Sequence, residues 1–439
     1  MSKFIIKGGK PLYGSVRLGG AKNASYKLMI ASLLGSSETR LLNFSHIQDV
    51  QATREIIDSL GGKTQSAGER TLFIDPTGLK SFTIADKFGP ASRSSTMFIP
   101  ALLHRFKRAS VPLPGGDDIG SRPLDRHFDG LQAMGARLEY GQDRVTVSSP
   151  RLKGITYRFA KNSHTGTETL VMAAVLAQGK TILQNAALEP EVDDLITFLN
   201  QMGAHIRRRP GRIIEIEGVD RLTSTIHSIM PDRNEAVSYA CAALVTKGDV
   251  IVENAQADHL TAFLDKLDEI GGGFEVGTYG LRFFYQGPLK ATDVVTKPHP
   301  GFMSDWQPLW TILMTQATGQ SIIHETIFPS RFQHAEGLVA FGADVKPTHI
   351  DVDNPEKTYN FDLQNGYQAG GHAILVTGPT KFTGGHHQIY DLRSGATMVL
   401  AALAASATTI LDRVELIDRG YESLDSRLQS MGADIKRQG

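Results

Sequence analysis

Charged side chains collect in this sequence where apolar runs begin. Lys22-Asn23, Ser92-Arg93-Ser94, Ser163-His164-Thr165, Asp232-Arg233-Asn234, Ser304-Asp305 and Asp391-Leu392-Arg393-Ser394 each open a stretch rich in small and aliphatic residues. Ser, Asp and Asn at such places read as helix N-caps, whose side-chain oxygens accept from the first free backbone N–H groups. Capping does not account for Lys22, Arg93, Arg233 and Arg393, because cations are disfavoured at the positive end of a helix dipole. Helix N-termini that also carry cations suit an anion, and an anion site is the expectation here.

A second candidate is the segment LPGGDDIGSRPLD, residues 113–125, with three carboxylates and one arginine among glycines and prolines. It suits a long mobile loop but has neither the Gly-Lys-Ser/Thr of a P-loop nor a dinucleotide fingerprint. Taken alone it reads as a surface loop. His386-His387 and the scattered His259, His299, His324, His334 and His349 lack the spacing of a zinc site. Cys241, the one cysteine, sits in the apolar run AVSYACAALV and reads as core. Trp306 and Trp310, four apart, read as packing on one helix face.

The elements that must carry these residues repeat. A Gly-Gly or Gly-Ala pair follows a helical pattern at Gly61, Gly135, Gly203, Gly271, Gly342 and Gly432, mostly about 70 residues apart. Each leading glycine reads as a helix C-cap that turns the chain into a strand. Upstream of each lies a β-branched phrase: TRLLN, ASVPL, KTILQN, DVIVEN, QSIIHE or TTILDR. Before each phrase comes a helix apolar nearly all round, expected to be buried, whereas the helices before the glycines are amphipathic. The unit is therefore strand–buried helix–strand–amphipathic helix–strand–strand, an α/β fold of six βαβαββ repeats, three per domain. The expected division gives one domain 22–230 and the other 1–21 plus 231–439, the N-terminal strands completing the last repeat. The two crossings are LGGAKN and IMPDRN, with the active site in the cleft between the halves.

Composition bounds the rest. With 46 basic and 46 acidic residues there is no bulk charge to attract nucleic acid. The 44 glycines and 19 prolines in 439 residues fall well short of low complexity, and 41% hydrophobic content supports a core. Neither a signal-peptide core nor an apolar run of ~18 residues is present, so a soluble cytoplasmic protein without membrane insertion is expected.

The segments GGAKNA, LPGGDDIGSRPLDRH, NAALEPEV, PDRNEA, PHPGFMSD, ETIFPSRF, DLRSGATMVLAA and IDRGYE, in order along nearly the whole chain, resemble the UDP-N-acetylglucosamine 1-carboxyvinyltransferase (MurA) family of the EPSP synthase superfamily. The resemblance implies two inside-out α/β barrels of three repeats each. It implies transfer of the enolpyruvyl group of phosphoenolpyruvate to the sugar 3-hydroxyl of UDP-N-acetylglucosamine, the first committed step of peptidoglycan synthesis, without metal or organic cofactor. The positions it assigns to phosphoenolpyruvate are Lys22, Asn23, Arg122, Arg393 and Arg419. To the UDP-sugar it assigns Arg93, Arg122, Pro123, Leu124, Asp125, Arg126, Lys161, Asn162, Ser163, His164, Asp305, Ile327 and Arg331, and Asp391 falls among the charged positions of the cleft. The implied catalytic residues are Asp305 as base, Asp117 or Lys22 as acid, and Arg419. Most members have cysteine where this chain has Asp117; a natural minority carries Asp. Two rivals follow from the same residues: a shikimate-pathway enolpyruvyl transferase, whose N-terminal phrase is Gly-Ser-Lys-Ser-like rather than Gly20-Ala-Lys-Asn23, and a silent UDP-sugar-binding paralogue.

Overall fold

The computed structural model describes residues 2–89, 94–113, 124–329, 331–363 and 369–439. The chain divides into two compact units, passing from one to the other after Leu18 and back after Met230. Each is mixed α/β.

In the unit that begins at Gly19, residues 156–217 show the repeat in full. Strand Thr156–Arg158 leads into helix His164–Ala174, strand Lys180–Gln184, helix Pro190–Gln201 and strands His205–Arg209 and Ile213–Glu217. Thr156–Arg158 pairs in parallel with Lys180–Gln184, which pairs antiparallel with Ile213–Glu217, and His205–Arg209 takes the far edge. Among the described residues six such sheets form, five of four strands and one of three. In the three-stranded sheet the parallel edge strand shrinks to one bridge, Thr83 to Ser110.

The edge strands correct one expectation. Lys3–Lys7 does complete the last repeat, lying antiparallel between Thr408–Asp412 and Asp434–Gln438. Tyr13–Arg17 does not; it pairs in parallel with Asp249–Glu253 in the fourth repeat. Ile226–Ser228 likewise returns to pair in parallel with Thr39–Leu42 of the first. A parallel edge strand needs a long crossover connection: for Tyr13–Arg17 the chain's passage through the other unit supplies it, and for Ile226–Ser228 the rest of its own unit does. Gly19 to Ala21 also fall with the unit that follows them, where the Ala21 N–H donates to the Met230 carbonyl at 2.7 Å.

All six repeat glycines end their helices in the left-handed region, with φ from 79° at Gly271 to 102° at Gly203, a conformation a Cβ would strain. The apolar helices are buried as their sequences require. Every residue of Arg233–Val245 and Gln307–Thr315 is buried, and all of Leu392–Ala404 except Ala404. Trp306 and Trp310 both meet Phe263 and Phe302 edge-on, with centroids 5.5–6.1 Å apart, so both tryptophans are core.

The β-branched phrases contain a latch. Asn43, Asn185 and Asn254 each end one in the left-handed region, φ 55–57°, which Asn tolerates better than most residues. Their side-chain amides donate to the carbonyls of Ile229, Phe159 and Leu18, just past the parallel edge strands. Each bond fixes where an edge strand stops and the segment leading to a buried helix begins, and one of those segments carries Lys161, Asn162 and Ser163.

Candidate functional site

In the unit of residues 19–230, Lys22 and Asn23 open the helix Lys22–Ser32. Its N-cap is Ala21, so no side chain caps it. The Lys22 ammonium lies 2.8 Å from the Asp49 carboxylate, with both side chains largely buried. Asp49 thus offsets a cation at the wrong end of a helix dipole. Deeper in the same helix, Lys27 is 1% exposed and donates to Glu168 at 2.7 Å, with the His164 ring nitrogen 3.1 Å away. Burial alone would push the Lys27 amine down; Glu168 outweighs it and holds the group above the usual lysine range. Burial also opposes charge on His164, and Glu168 at 3.1 Å again outweighs it, raising the imidazole.

The stretch 161–164 is tied down by backbone chemistry. Ser163 caps helix His164–Ala174 by accepting from the Gly166 N–H at 3.1 Å. A Cβ at Gly166 would come within 2.7 Å of that hydroxyl, so the cap depends on glycine. Arg126, from helix Asp125–Ala133, donates to the Asn162 carbonyl at 2.9 Å, and the Asn162 amide donates to the Asn185 carbonyl at 3.2 Å. Arg126, Asn162, Ser163 and His164 are therefore gathered, with Lys161 beside them in the chain and Leu124 and Asp125 at the start of the arginine's helix. Arg93, Asp117, Arg122 and Pro123 lie outside the described residues.

In the other unit, Asp305 sits in the 3-10 turn Ser304–Trp306 that leads into Gln307–Thr315. Its side chain, 21% exposed, meets Arg331 at 2.5 Å through Oδ1 and Arg393 at 3.5 Å through Oδ2. Arg393 also donates to the Tyr421 hydroxyl at 3.1 Å, which lies 2.7 Å from Ser238 Oγ. Burial works against the Arg393 charge, but Tyr421, Asp305 and Asp232 hold the guanidinium above the ordinary arginine range. Asp391 accepts from the N–H groups of Arg393 and Ser394 at 2.9 and 3.0 Å, so it caps the helix that presents Arg393. Asp232 caps Arg233–Val245 in the same way. Arg419 ends the turn Val414–Arg419, two residues before Tyr421. Ile327 follows Glu325, whose carboxylate is fully buried and accepts from the N–H groups of Ile327 and Phe328. Burial pushes the Glu325 carboxyl up, against the Arg331 charge and these donors.

Sequence reasoning did not single out Lys27, Glu168, Glu325 and Tyr421, and it read Ser304 as a helix N-cap, whereas the N-caps there are Met303 and Trp306. Lys27 and Glu168 had a signal: each is the lone charge inside a run otherwise buried, and a buried charge needs a partner. Removing one member of a buried pair costs ~3–5 kcal/mol, because the other charge is stranded. Glu168→Ala should therefore lower the urea midpoint of unfolding strongly, whereas Lys27→Met combined with Glu168→Leu should recover most of the loss. Losses in Lys27→Met and Glu168→Leu singly that simply add up in the double variant would show that the charges are not coupled.

Among the described residues no group of three His, Cys, Asp or Glu side chains could hold a metal ion. No helix there is long and apolar enough to cross a membrane. What can be assembled is carboxylate and guanidinium chemistry around Asp305, and a lysine beside a carboxylate at Lys22.

Residues 6–428 match the family model described as EPSP synthase (3-phosphoshikimate 1-carboxyvinyltransferase). The chain belongs to the EPSP synthase family. Within that family it is 39% identical over 437 residues to UDP-N-acetylglucosamine 1-carboxyvinyltransferase 3 of Caldanaerobacter subterraneus subsp. tengcongensis, covering 100% of this chain and 99% of that protein. It is 40% identical over 440 residues to the UDP-N-acetylglucosamine 1-carboxyvinyltransferase of Coxiella burnetii, covering 100% and 96%. The EPSP synthase fold recurs in the enolpyruvyl transferase NikO of Streptomyces tendae, at a TM-score of 0.85, 23% identity and coverage of 100% and 99%. It recurs in the EPSP synthase of Acinetobacter baumannii at a TM-score of 0.73 and 18% identity, each chain covered in full.

Proposed function

We propose that this chain is an enzyme that transfers the enolpyruvyl group of phosphoenolpyruvate to the 3-hydroxyl of UDP-N-acetylglucosamine, releasing phosphate, as the first committed step of peptidoglycan synthesis in the cytoplasm. The observation that carries the reading is a partly exposed Asp305 flanked by Arg331 and Arg393, in a chain whose relatives named for that activity are 39–40% identical end to end.

On this reading Lys22, Asn23, Arg122, Arg393 and Arg419 bind the phosphate and carboxylate of phosphoenolpyruvate through charge-assisted bonds, with Arg supplying two parallel donors where it can. Asp117 or Lys22 delivers a proton to C3 of phosphoenolpyruvate. Positive charge then develops at C2, the sugar oxygen bonds there, and Asp305 takes the proton of the 3-hydroxyl. The tetrahedral adduct loses a proton from C3 and expels phosphate, which leaves the enol ether. Arg93, Arg122, Pro123, Leu124, Asp125, Arg126, Lys161 to His164, Ile327 and Arg331 hold the UDP-sugar.

A second reading has one observation in its favour, since the matching family model is described by 3-phosphoshikimate transfer. Phosphate release from phosphoenolpyruvate separates the two. We expect release with UDP-N-acetylglucosamine and none above background with shikimate 3-phosphate. The opposite pattern would select the second reading, and no release with either would leave a binding protein.

A further inference from the structure

The environment of Asp305 contains a directional chain of hydrogen bonds that begins at a carboxylate with no place in the scheme above. Glu325 is fully buried. Its Oε1 accepts from Thr296 Oγ1 at 3.0 Å and from the N–H groups of Ile327 and Phe328 at 2.8 and 3.1 Å. Its Oε2 accepts from Ser304 Oγ at 2.9 Å. The Ser304 hydroxyl has one proton, and the carboxylate takes it. What remains on the serine oxygen is lone pairs, and Arg331 Nη1 donates to them at 3.0 Å. With Nη1 fixed, the planar guanidinium places Nη2 on Asp305 Oδ1 at 2.5 Å. Arg393 approaches the other oxygen, Oδ2, at the longer distance of 3.5 Å.

We propose that Glu325 and Ser304 are positioning residues for the transfer reaction, acting through Arg331 to engage Asp305 Oδ1 and turn Oδ2 to the hydroxyl whose proton it takes. The inference rests on the reading of Asp305 as the base. Its logic is one of donor direction. A carboxylate at 325 forces Ser304 to donate inward and accept from Arg331; an amide there can donate to the serine, which frees the serine proton to turn against Nη1. Glu325 also holds the backbone of Ile327, so one buried group organises two positions assigned to the sugar.

The test compares Ser304→Ala, Ser304→Thr, Glu325→Gln and Asp305→Asn with the unaltered chain, using phosphate release across pH. Among the described residues, the charged and titratable groups around Asp305 include Arg331 and Arg393, with Glu325 behind Ser304, His334 near Arg331, and Tyr421 and Asp232 near Arg393. A base must be ionised, so kcat falls as pH drops through its pKa. Loosening the Arg331 contact weakens the stabilisation of the charged carboxylate, which raises that pKa. Ser304→Ala should therefore move the acidic limb of kcat to higher pH by ~1 unit and lower kcat at its plateau ~10-fold, with KM for UDP-N-acetylglucosamine changed less than ~3-fold. Ser304→Thr, which keeps the hydroxyl, should restore both. Glu325→Gln should retain a displaced limb.

An unmoved limb in Ser304→Ala, with Asp305→Asn inactive, would overturn the relay and leave the base assignment standing. Full turnover in Asp305→Asn would overturn the base assignment itself. Loss of the limb altogether in Glu325→Gln would assign it to Glu325 and sink the relay. If Glu325→Gln fails to fold, the two serine variants decide the matter alone, since neither removes a buried charge.

Discussion

Asp305→Asn is expected to lower turnover by ~10²–10⁴-fold, the usual loss for one acid–base group, while leaving UDP-sugar binding within a few-fold. The amide keeps the size of the carboxylate and can still accept from Arg331, so the geometry of the turn Ser304–Trp306 should persist. What it loses is affinity for a proton. Two guanidinium groups flank the position, Arg331 at 2.5 Å and Arg393 at 3.5 Å. The substitution also leaves Arg331 and Arg393, both nearly buried, without the Asp305 charge. Some loss of thermal stability should therefore accompany the loss of turnover, and a melting curve must be read beside the kinetics. Near-unchanged kcat in a folded Asp305→Asn protein would refute the base assignment.

The repeat was legible in the sequence because it is written locally. A C-cap glycine needs only its own φ, and a β-branched phrase or an all-apolar helix needs only its own composition. The three asparagines that end their phrases were equally visible, but their use was not. Their partners, Ile229, Phe159 and Leu18, lie 186, 26 and 236 residues away. The exchange of edge strands was hidden for the same reason. Parallel pairing of Tyr13–Arg17 with Asp249–Glu253 leaves no mark in either segment, so both N-terminal strands read as parts of the last repeat.

The site divides along the same line. Capping by Ser163, Asp232 and Asp391 followed from residue type and place. The cations at helix starts looked like a conflict that a ligand must resolve, whereas Lys22 and Arg393 each meet a carboxylate of the fold itself, Asp49 and Asp305. No spacing rule joins Asp305 to Arg331, 26 residues on, and only the family resemblance brought them into one reaction. Ser304 read as a helix cap and Glu325 was not noticed, because the role argued for them is one of direction, which residue type alone does not specify.

The native chain should resist covalent inactivation by fosfomycin, and Asp117→Cys should become susceptible. The resemblance to UDP-N-acetylglucosamine 1-carboxyvinyltransferases implies that Asp117 stands where most of those enzymes have a loop cysteine, the thiol that fosfomycin alkylates. A thiolate attacks an epoxide carbon, the ring C–O bond breaks, and the oxygen leaves as an alkoxide that takes up a proton. A carboxylate is a much poorer nucleophile toward an epoxide. The chain's single cysteine cannot substitute, because Cys241 is fully buried in helix Arg233–Val245 and burial pushes its thiol up, away from thiolate. The expected result is therefore complete: no time-dependent loss of activity in the native enzyme, and a first-order loss in Asp117→Cys with one inhibitor mass added to the peptide containing residue 117. Carrying both through a Cys241→Ala background removes the only competing thiol. Time-dependent inactivation of the native enzyme would place a nucleophile elsewhere. An active Asp117→Cys that is never alkylated would show that residue 117 does not meet the inhibitor, and the acid role proposed for it would fall with that result.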